Sequence, residues 1–185
     1  RSAIRFIRAH AADWGVDPGR LISAGGSAGG HLAACLGVDI GPDAPDDDRA
    51  IPCRPQAMVL CNPVLDTEHE RVLGFFSVLD PTERTRLARA LSPLAHLDTN
   101  CPPAVVFFGT ADSLLGAGEP FVRRAQALGR RIDLWMASDM PHGFFNRSPW
   151  QESVTRIADE FLTSLGFLSG SPTLPAPTGG VLVGP

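Results

Sequence analysis

An α/β fold, a mostly parallel sheet of about four strands with helices on both faces, is what this sequence predicts. Three observations lead to it. Four short apolar runs recur along the chain, helix-periodic segments separate them, and 185 residues at 44% hydrophobic and 19% charged content suit one compact domain with a sizeable core.

The elements follow in order. Ile4, Ile7, Ala11 and Trp14 stand three or four apart, the spacing of one helical face, so residues 1–14 read as a helix that GVDPGR stops. RLISAG (20–25) supplies the first strand, and Ser27 to Val38 the helix after it, packed through small residues near its start. Residues 40–55 carry four prolines and the acidic cluster Asp46 to Asp48, which reads as a solvated loop rather than a metal site. QAMVLCN (56–62), PAVVFFG (103–109) and IDLWMA (132–137) are the remaining strands. Residues 64–97 are too long for a plain connection and mixed in polarity, so a small helical insertion over the sheet is expected there. GEPFVRRAQALG and SPWQESVTRIADEFLTSLGFL complete the alternation, the latter with Ser148 or Ser153 near the helix start. The domain is thus expected to occupy residues 1–168, followed by a disordered Pro/Gly-rich tail over 169–185.

Composition narrows the function classes. The net charge is −4 and all sixteen basic residues are Arg, which gives no basic surface for nucleic acid and excludes a phosphate loop ending in Gly-Lys-Ser/Thr. Cys35, Cys53, Cys61 and Cys101 are spaced by 18, 8 and 40 residues, matching neither a zinc pattern nor a small disulfide scaffold, and read mostly as buried thiols. No apolar run reaches the roughly 18 residues a membrane span needs. The opening RSAIRFIRAH resembles a mid-domain helix rather than a signal sequence, and without an initiating Met a processed chain or a piece of a longer one is expected.

The chemistry concentrates in LISAGGSAGGHLAAC (21–35), where Gly25 to Gly29 fit Gly-x-Ser-x-Gly between an expected strand and an expected helix. A serine on so tight a turn takes a strained backbone, and side chains two positions before and after it would clash, so Gly25 and Gly29, with Gly26 beside them, serve the turn. The turn lifts the Ser27 hydroxyl clear of the sheet. The Ala28 amide, opening the helix, points where a negative oxygen could bind. The motif alone also fits a glycine-rich loop or a plain helix start.

A serine nucleophile needs a base within hydrogen-bond reach, and the base needs a carboxylate to orient it. FFGTADSLL sets Asp112 just after the third strand, and MPHGFFN sets His142 a few residues after the fourth, both at carboxyl ends where open parallel sheets bind ligands. Other candidates fit less well. His31 lies one helical turn beyond Ser27 and reads as a packed or helix-surface residue; His10, His69 and His96 read as surface or hinge residues. Asp139 shapes the His142 loop, and Asp66, after the second strand, stands in reserve as the third member.

With GGSAGGHLAA around Ser27, GTAD ending at Asp112 and HGFFN starting at His142, residues 1 to about 167 resemble the α/β-hydrolase superfamily. Within it they are most similar to the hormone-sensitive-lipase-like and acetyl-esterase-like carboxylesterases. The resemblance implies Ser27 as nucleophile, His142 as general base and then acid, Asp112 as its orienting partner, and no metal or organic cofactor. One departure carries weight. Family members have an N-terminal half with about four further strands and a His-Gly-Gly-type loop that completes the oxyanion hole, ahead of the helix that opens this chain, so only the C-terminal half of the fold is expected.

Two consequences follow. The oxyanion hole is reduced to the Ala28 amide, and residues 20–24 should form an unpaired apolar sheet edge, covered by a second copy, by a separate N-terminal chain or by a rearranged segment such as helix 1–14. The function expected is hydrolysis of small, short-acyl esters through an acyl-enzyme, with Phe75, Phe76 and Leu79 as acyl-pocket wall or plain core. A catalytically weak scaffold, or a site completed by homo-oligomerisation, is the alternative; peptidase or thioesterase chemistry on the same residues also stays open.

Overall fold

The computed structural model describes residues 1–174 and 179–185. Five strands form one sheet in the order β1 (Ile22–Gly26), β2 (Ala57–Cys61), β3 (Ala104–Gly109), β4 (Ile132–Ala137), β5 (Leu182–Val183), the first four parallel and the fifth antiparallel to β4. Alternation along the strands sorts the core to two faces. Met58, Leu60, Val106, Phe108 and Ile132 pack with Ala33 and Ala34 of α3 (Ala28–Gly37) and with Phe121 and Val122 of α6 (Leu115–Ala127). On the other face Ala57, Val105, Phe107 and Ala137 meet Val154 and Phe161 of α7 (Trp150–Ser164). Helices cover both faces, as expected. β3 is buried along its whole length, which is why PAVVFFG reads as a continuous apolar run.

The expected insertion is α4 (Glu70–Leu73), a 3-10 turn (Gly74–Phe76) and α5 (Pro81–Ala90), started by Asp80, whose carboxylate accepts the Thr82 and Glu83 amides. It sits against the α3 and α6 face through Val72 and Leu97. The N-terminal helix is broken in two, α1 (Ser2–Ala9) and α2 (Ala11–Trp14), because His10 leaves the helical conformation at φ −107° and ψ 11°. Consequently Trp14 is 52% exposed rather than buried with Ile4, and stacks on His10 in a row with Phe6.

The four expected parallel strands are joined by a fifth from the tail, which is ordered in part where disorder is expected. Leu182 is buried and pairs with Ala137, Val183 pairs with Met136, and Gly184 approaches the Trp135 ring closely. Residues 175–178 of the expected disordered stretch lie outside the described residues. The acidic loop also differs: Asp47 is not solvated but held by the almost fully buried Arg5, whose guanidinium donates to Asp43 at 2.6 Å, to Asp47 at 2.8 Å and to the Ile51 carbonyl at 3.0 Å. A buried cation requires such partners. This cluster fixes α1 against the loop after α3. Among the described residues no strand pairs with the outer edge of β1.

Hydrogen bonds from Arg1 and Arg5 lower the Asp43 carboxyl from its ordinary 3.8 to about 2. A depressed carboxyl stabilises the fold above its unfolded value, and that stabilisation disappears as pH falls through the folded one. Asp43→Asn is therefore expected to lower the melting temperature at pH 7 by several degrees. The gap to the parent should close between about pH 4 and pH 2, and a gap independent of pH in thermal unfolding would show that the charge pairing is not its origin.

Candidate active site

Four strands end side by side, and the turn after each supplies one part of a cleft. Ser27 follows β1 at φ 54° and ψ −119°, a strained conformation for a residue with a side chain, and its N–H donates to the Cys61 carbonyl at 2.9 Å. Gly25 explains how the turn closes. A Cβ there would stand 2.4 Å from the Gly29 carbonyl group, and one on Gly26 would enter the Phe145 ring. The reading for Gly29 needs correction, since a Cβ on it would meet nothing within 4 Å; its side-chain direction points to solvent while its backbone forms the wall that Gly25 needs. Ala28 opens α3, so its amide is one of the donors a helix leaves unpaired in its first turn.

His142 and Asp112 meet at the adjoining ends. The Ser27 hydroxyl donates to His142 Nε2 at 2.8 Å, and His142 Nδ1 donates to Asp112 Oδ2 at 3.0 Å, the tautomer following from a carboxylate that only accepts. The Asp112 side chain is wholly buried and that of His142 is 41% exposed, so the hydrogen-bonded pair runs from the interior to the cleft. Oδ1 of Asp112 accepts the Leu114 amide at 2.9 Å. The loop carrying His142 is tied to the one carrying Asp112: the Ala111 amide donates to the Met140 carbonyl, and the Asp139 amide, at φ 59°, donates to the Thr110 hydroxyl. Asp139 thus shapes the loop. Asp66 is turned away, accepting from the Glu68 amide and the Ser92 hydroxyl.

The remaining histidines are occupied elsewhere. His31 Nδ1 donates to the Val64 carbonyl, His69 starts α4, His96 donates to the Arg89 carbonyl and His10 lies in the aromatic row on α1 and α2. All four cysteines are free and buried, and burial pushes the Cys35 and Cys61 thiols to about 12 and Cys101 to about 11, which keeps them protonated near neutral pH. Among the described residues no group of three or more His, Cys, Asp or Glu side chains is placed to hold a metal ion, and no helix is long and apolar enough to cross a membrane.

A cleft of about 590 Å³ opens over Ser27 and His142. Val72, Phe75, Phe76 and Leu114 give it an apolar wall, and Arg71 adds a positive charge to the lining. Phe76 packs against the core while Phe75 is 76% exposed, so the aromatic pair divides between core and rim. Leu79 is not part of this lining. Sequence reasoning missed Asn62, which is buried beside Asp112, and also Thr67, Arg71, Ser113 and Leu114. An asparagine directly after a strand reads as a turn residue, which hid it.

Comparisons with known proteins agree with this architecture. The profile of the alpha/beta hydrolase fold family matches residues 1–146. A probable isoprenylcysteine alpha-carbonyl methylesterase of Arabidopsis thaliana is 26% identical over 183 residues, spanning 88% of this chain and 38% of that protein. The carboxylesterase NlhH of Mycobacterium tuberculosis is 29% identical over 163 residues, 78% of this chain and 50% of that one. The propionate-bound structure of a thermophilic esterase from Thermogutta terrifontis superimposes with a TM-score of 0.79 at 35% identity, covering 92% of this chain and 65% of that chain. This chain therefore spans less than two thirds of the length of each.

The two glycines of the turn make opposite predictions. Gly25→Ala forces a methyl group into the Gly29 backbone and should cost about 1–3 kcal/mol, as overpacking does. Gly29→Ala, at an open helical position, should be neutral or gain up to about 1 kcal/mol. Urea denaturation of both variants measures the difference, and equal costs would place the constraint on the turn elsewhere.

Proposed function

The chain belongs to the alpha/beta hydrolase fold family, and from that premise we propose that it is a serine carboxylester hydrolase acting on short acyl esters. The observation that carries the reading is the unbroken hydrogen-bond relay from Ser27 Oγ through both nitrogens of His142 to the buried Asp112. Ser27 Oγ attacks the ester carbonyl carbon while His142 Nε2 takes the hydroxyl proton. The carbonyl oxygen becomes an oxyanion facing the Ala28 amide. As the tetrahedral centre collapses, the bond to the alcohol oxygen breaks and His142 returns its proton to that oxygen. Water, deprotonated by His142, then attacks the acyl-serine, and the same steps release the carboxylic acid and restore Ser27. Asp112 holds the Nδ1 tautomer and balances the imidazolium at each proton transfer. The chemistry calls on no metal or organic cofactor.

Short acyl groups are favoured by the apolar wall of Val72, Phe75, Phe76 and Leu114. The Thermogutta terrifontis esterase, 35% identical, was solved with propionate and with butyrate bound, the acids such esters release.

One observation favours a second reading. β1, which carries Ser27, has no strand partner on its outer side among the described residues, and the oxyanion in this scheme rests on one amide. Loss of one of two donors typically costs about 100- to 1,000-fold in turnover. On this reading the chain is a slow hydrolase or ligand-binding scaffold, or a site completed when a second copy pairs with residues 20–24.

The two readings separate experimentally. A fluorophosphonate probe should label the chain, Ser27→Ala should abolish labelling, and Asp112→Asn should slow it by at least about a thousandfold. Hydrolysis of p-nitrophenyl acetate and butyrate should exceed that of the palmitate. An unlabelled Ser27 in a monomeric chain supports the scaffold, while labelling that rises with protein concentration alongside a dimer in light scattering supports the oligomeric site.

A further inference from the structure

Asn62 is a buried polar residue beside the site to which this mechanism gives no task. It follows β2 directly, is 0% exposed and has φ 46°, in the left-handed region that asparagine tolerates better than most residues with a side chain. Its own N–H donates to the Phe107 carbonyl at 2.7 Å, so its backbone is anchored to β3 just before Asp112. Both ends of its side chain reach the partners of Ser27. Nδ2 donates to Asp112 Oδ2, the same oxygen that accepts from His142 Nδ1, and Oδ1 accepts the Gly143 amide, adjacent to His142, at 3.3 Å.

The orientation of this amide is determined by its neighbours. A carboxylate only accepts and a backbone N–H only donates, so the NH2 group must face Asp112 and the oxygen must face Gly143. An apolar side chain of similar size would tolerate φ 46° less well but would leave no polar side-chain groups to satisfy. The buried amide is accounted for by its bridge between these two loops.

We propose that Asn62 is a positioning residue for the His142–Asp112 pair: one donor fixes Oδ2 in line with Nδ1, and one acceptor fixes the backbone beside the imidazole. The proposal rests on the ester-hydrolysis reading above for its effect on rate, although the geometry it describes is independent of it. Without Asn62, Asp112 keeps its Leu114 contact but loses the donor that fixes Oδ2, and the loop at Gly143 loses its tie to β2. Displacements of about 1 Å at a catalytic base cost on the order of a hundredfold. Substrate binding depends on the far wall of the cleft and should change little.

Two variants test this. Asn62→Gly removes both side-chain bonds while accepting φ 46° without strain, and Asn62→Asp keeps the shape and the Gly143 acceptor but sets a second carboxyl against Asp112, the pair sharing one proton. With p-nitrophenyl butyrate, and rates normalised to probe-labelled sites, N62G is expected to lower kcat by roughly 10- to 100-fold with KM within about threefold. N62D is expected to retain more of kcat than N62G, because two buried carboxyls in contact share one proton and the protonated one still donates to its partner. The far-downfield 1H NMR signal of the Nδ1 proton shared with Asp112 should be lost or moved upfield in N62G. Wild-type kcat and a wild-type Nδ1 signal in N62G would overturn the proposal and leave Asn62 a packing residue. If the parent chain labels and turns over no ester, the ester reading fails by itself, and the Nδ1 signal alone then decides the role of Asn62: its loss in N62G upholds positioning, its persistence overturns it.

Discussion

The parallel ladder of this sheet runs one bond past its strands, and the site is built on that extra rung. Gly26 is level with Cys61, Cys61 with Phe107, and Gly109 with Ala137. Beyond these pairs the first turn residue of each strand still donates to its neighbour: Ser27 N–H to the Cys61 carbonyl, Asn62 N–H to the Phe107 carbonyl and Thr110 N–H to the Ala137 carbonyl, at 2.9, 2.7 and 2.9 Å. β1 and β2 end level with Phe107 and β3 and β4 two residues farther on, so the turns leave the sheet in a fixed lateral order along a stepped edge. Ser27 and His142 come into reach because the loop after β4 turns back across that step to the Ser27 hydroxyl. A rigid base is what a reaction sensitive to 1 Å requires.

Alignment alone would leave polar groups buried without partners, and the interior resolves that with few residues. Asp112 receives three N–H donors, from His142, Asn62 and Leu114, so its two buried oxygens are satisfied with no arginine beside them. Elsewhere in the chain the opposite solution appears. Arg5, equally buried, is matched by Asp43 and Asp47, which locks α1 to the loop after α3 but contributes nothing to the cleft. The two networks differ in what they permit. An acidic group surrounded by neutral donors can still exchange hydrogen-bond strength with an imidazole, whereas one held by two guanidiniums cannot.

Much of this was legible in the sequence, for physical reasons that also mark where legibility ended. The four parallel strands are apolar and bounded by Gly or Pro, so their period and length identify them. The motif around Ser27 is readable because the strained turn needs glycine at 25 and 26, where a Cβ would strike Gly29 or the Phe145 ring, although the glycine at 29 is not itself required. β5 was not readable, since two residues of antiparallel edge depend on a tertiary partner, the exposed side of β4, rather than on local pattern. Asp47 was misread because its neighbours in sequence are acidic while its partner, Arg5, is 42 residues away. Asn62 was invisible for a related reason. An asparagine after a strand is the usual mark of a turn, its left-handed φ fits one too, and only its burial and its side-chain partners set it apart.

The elements carrying the three central residues are unequally supported, and this bears on how the site works. Asp112 leaves β3, which has strands on both sides, and His142 follows β4, which β5 and β3 flank. Ser27 leaves β1, whose only strand partner among the described residues is β2. The His142–Asp112 hydrogen bond is therefore held from both directions, whereas Ser27 is held by the Cys61 carbonyl, by the contact of Gly25 with Gly29 and by α3 behind it. A strand paired with β1 would restrict Ser27 more than His142, so in the proposed ester hydrolysis it would bear on attack and oxyanion stabilisation before it bore on proton transfer.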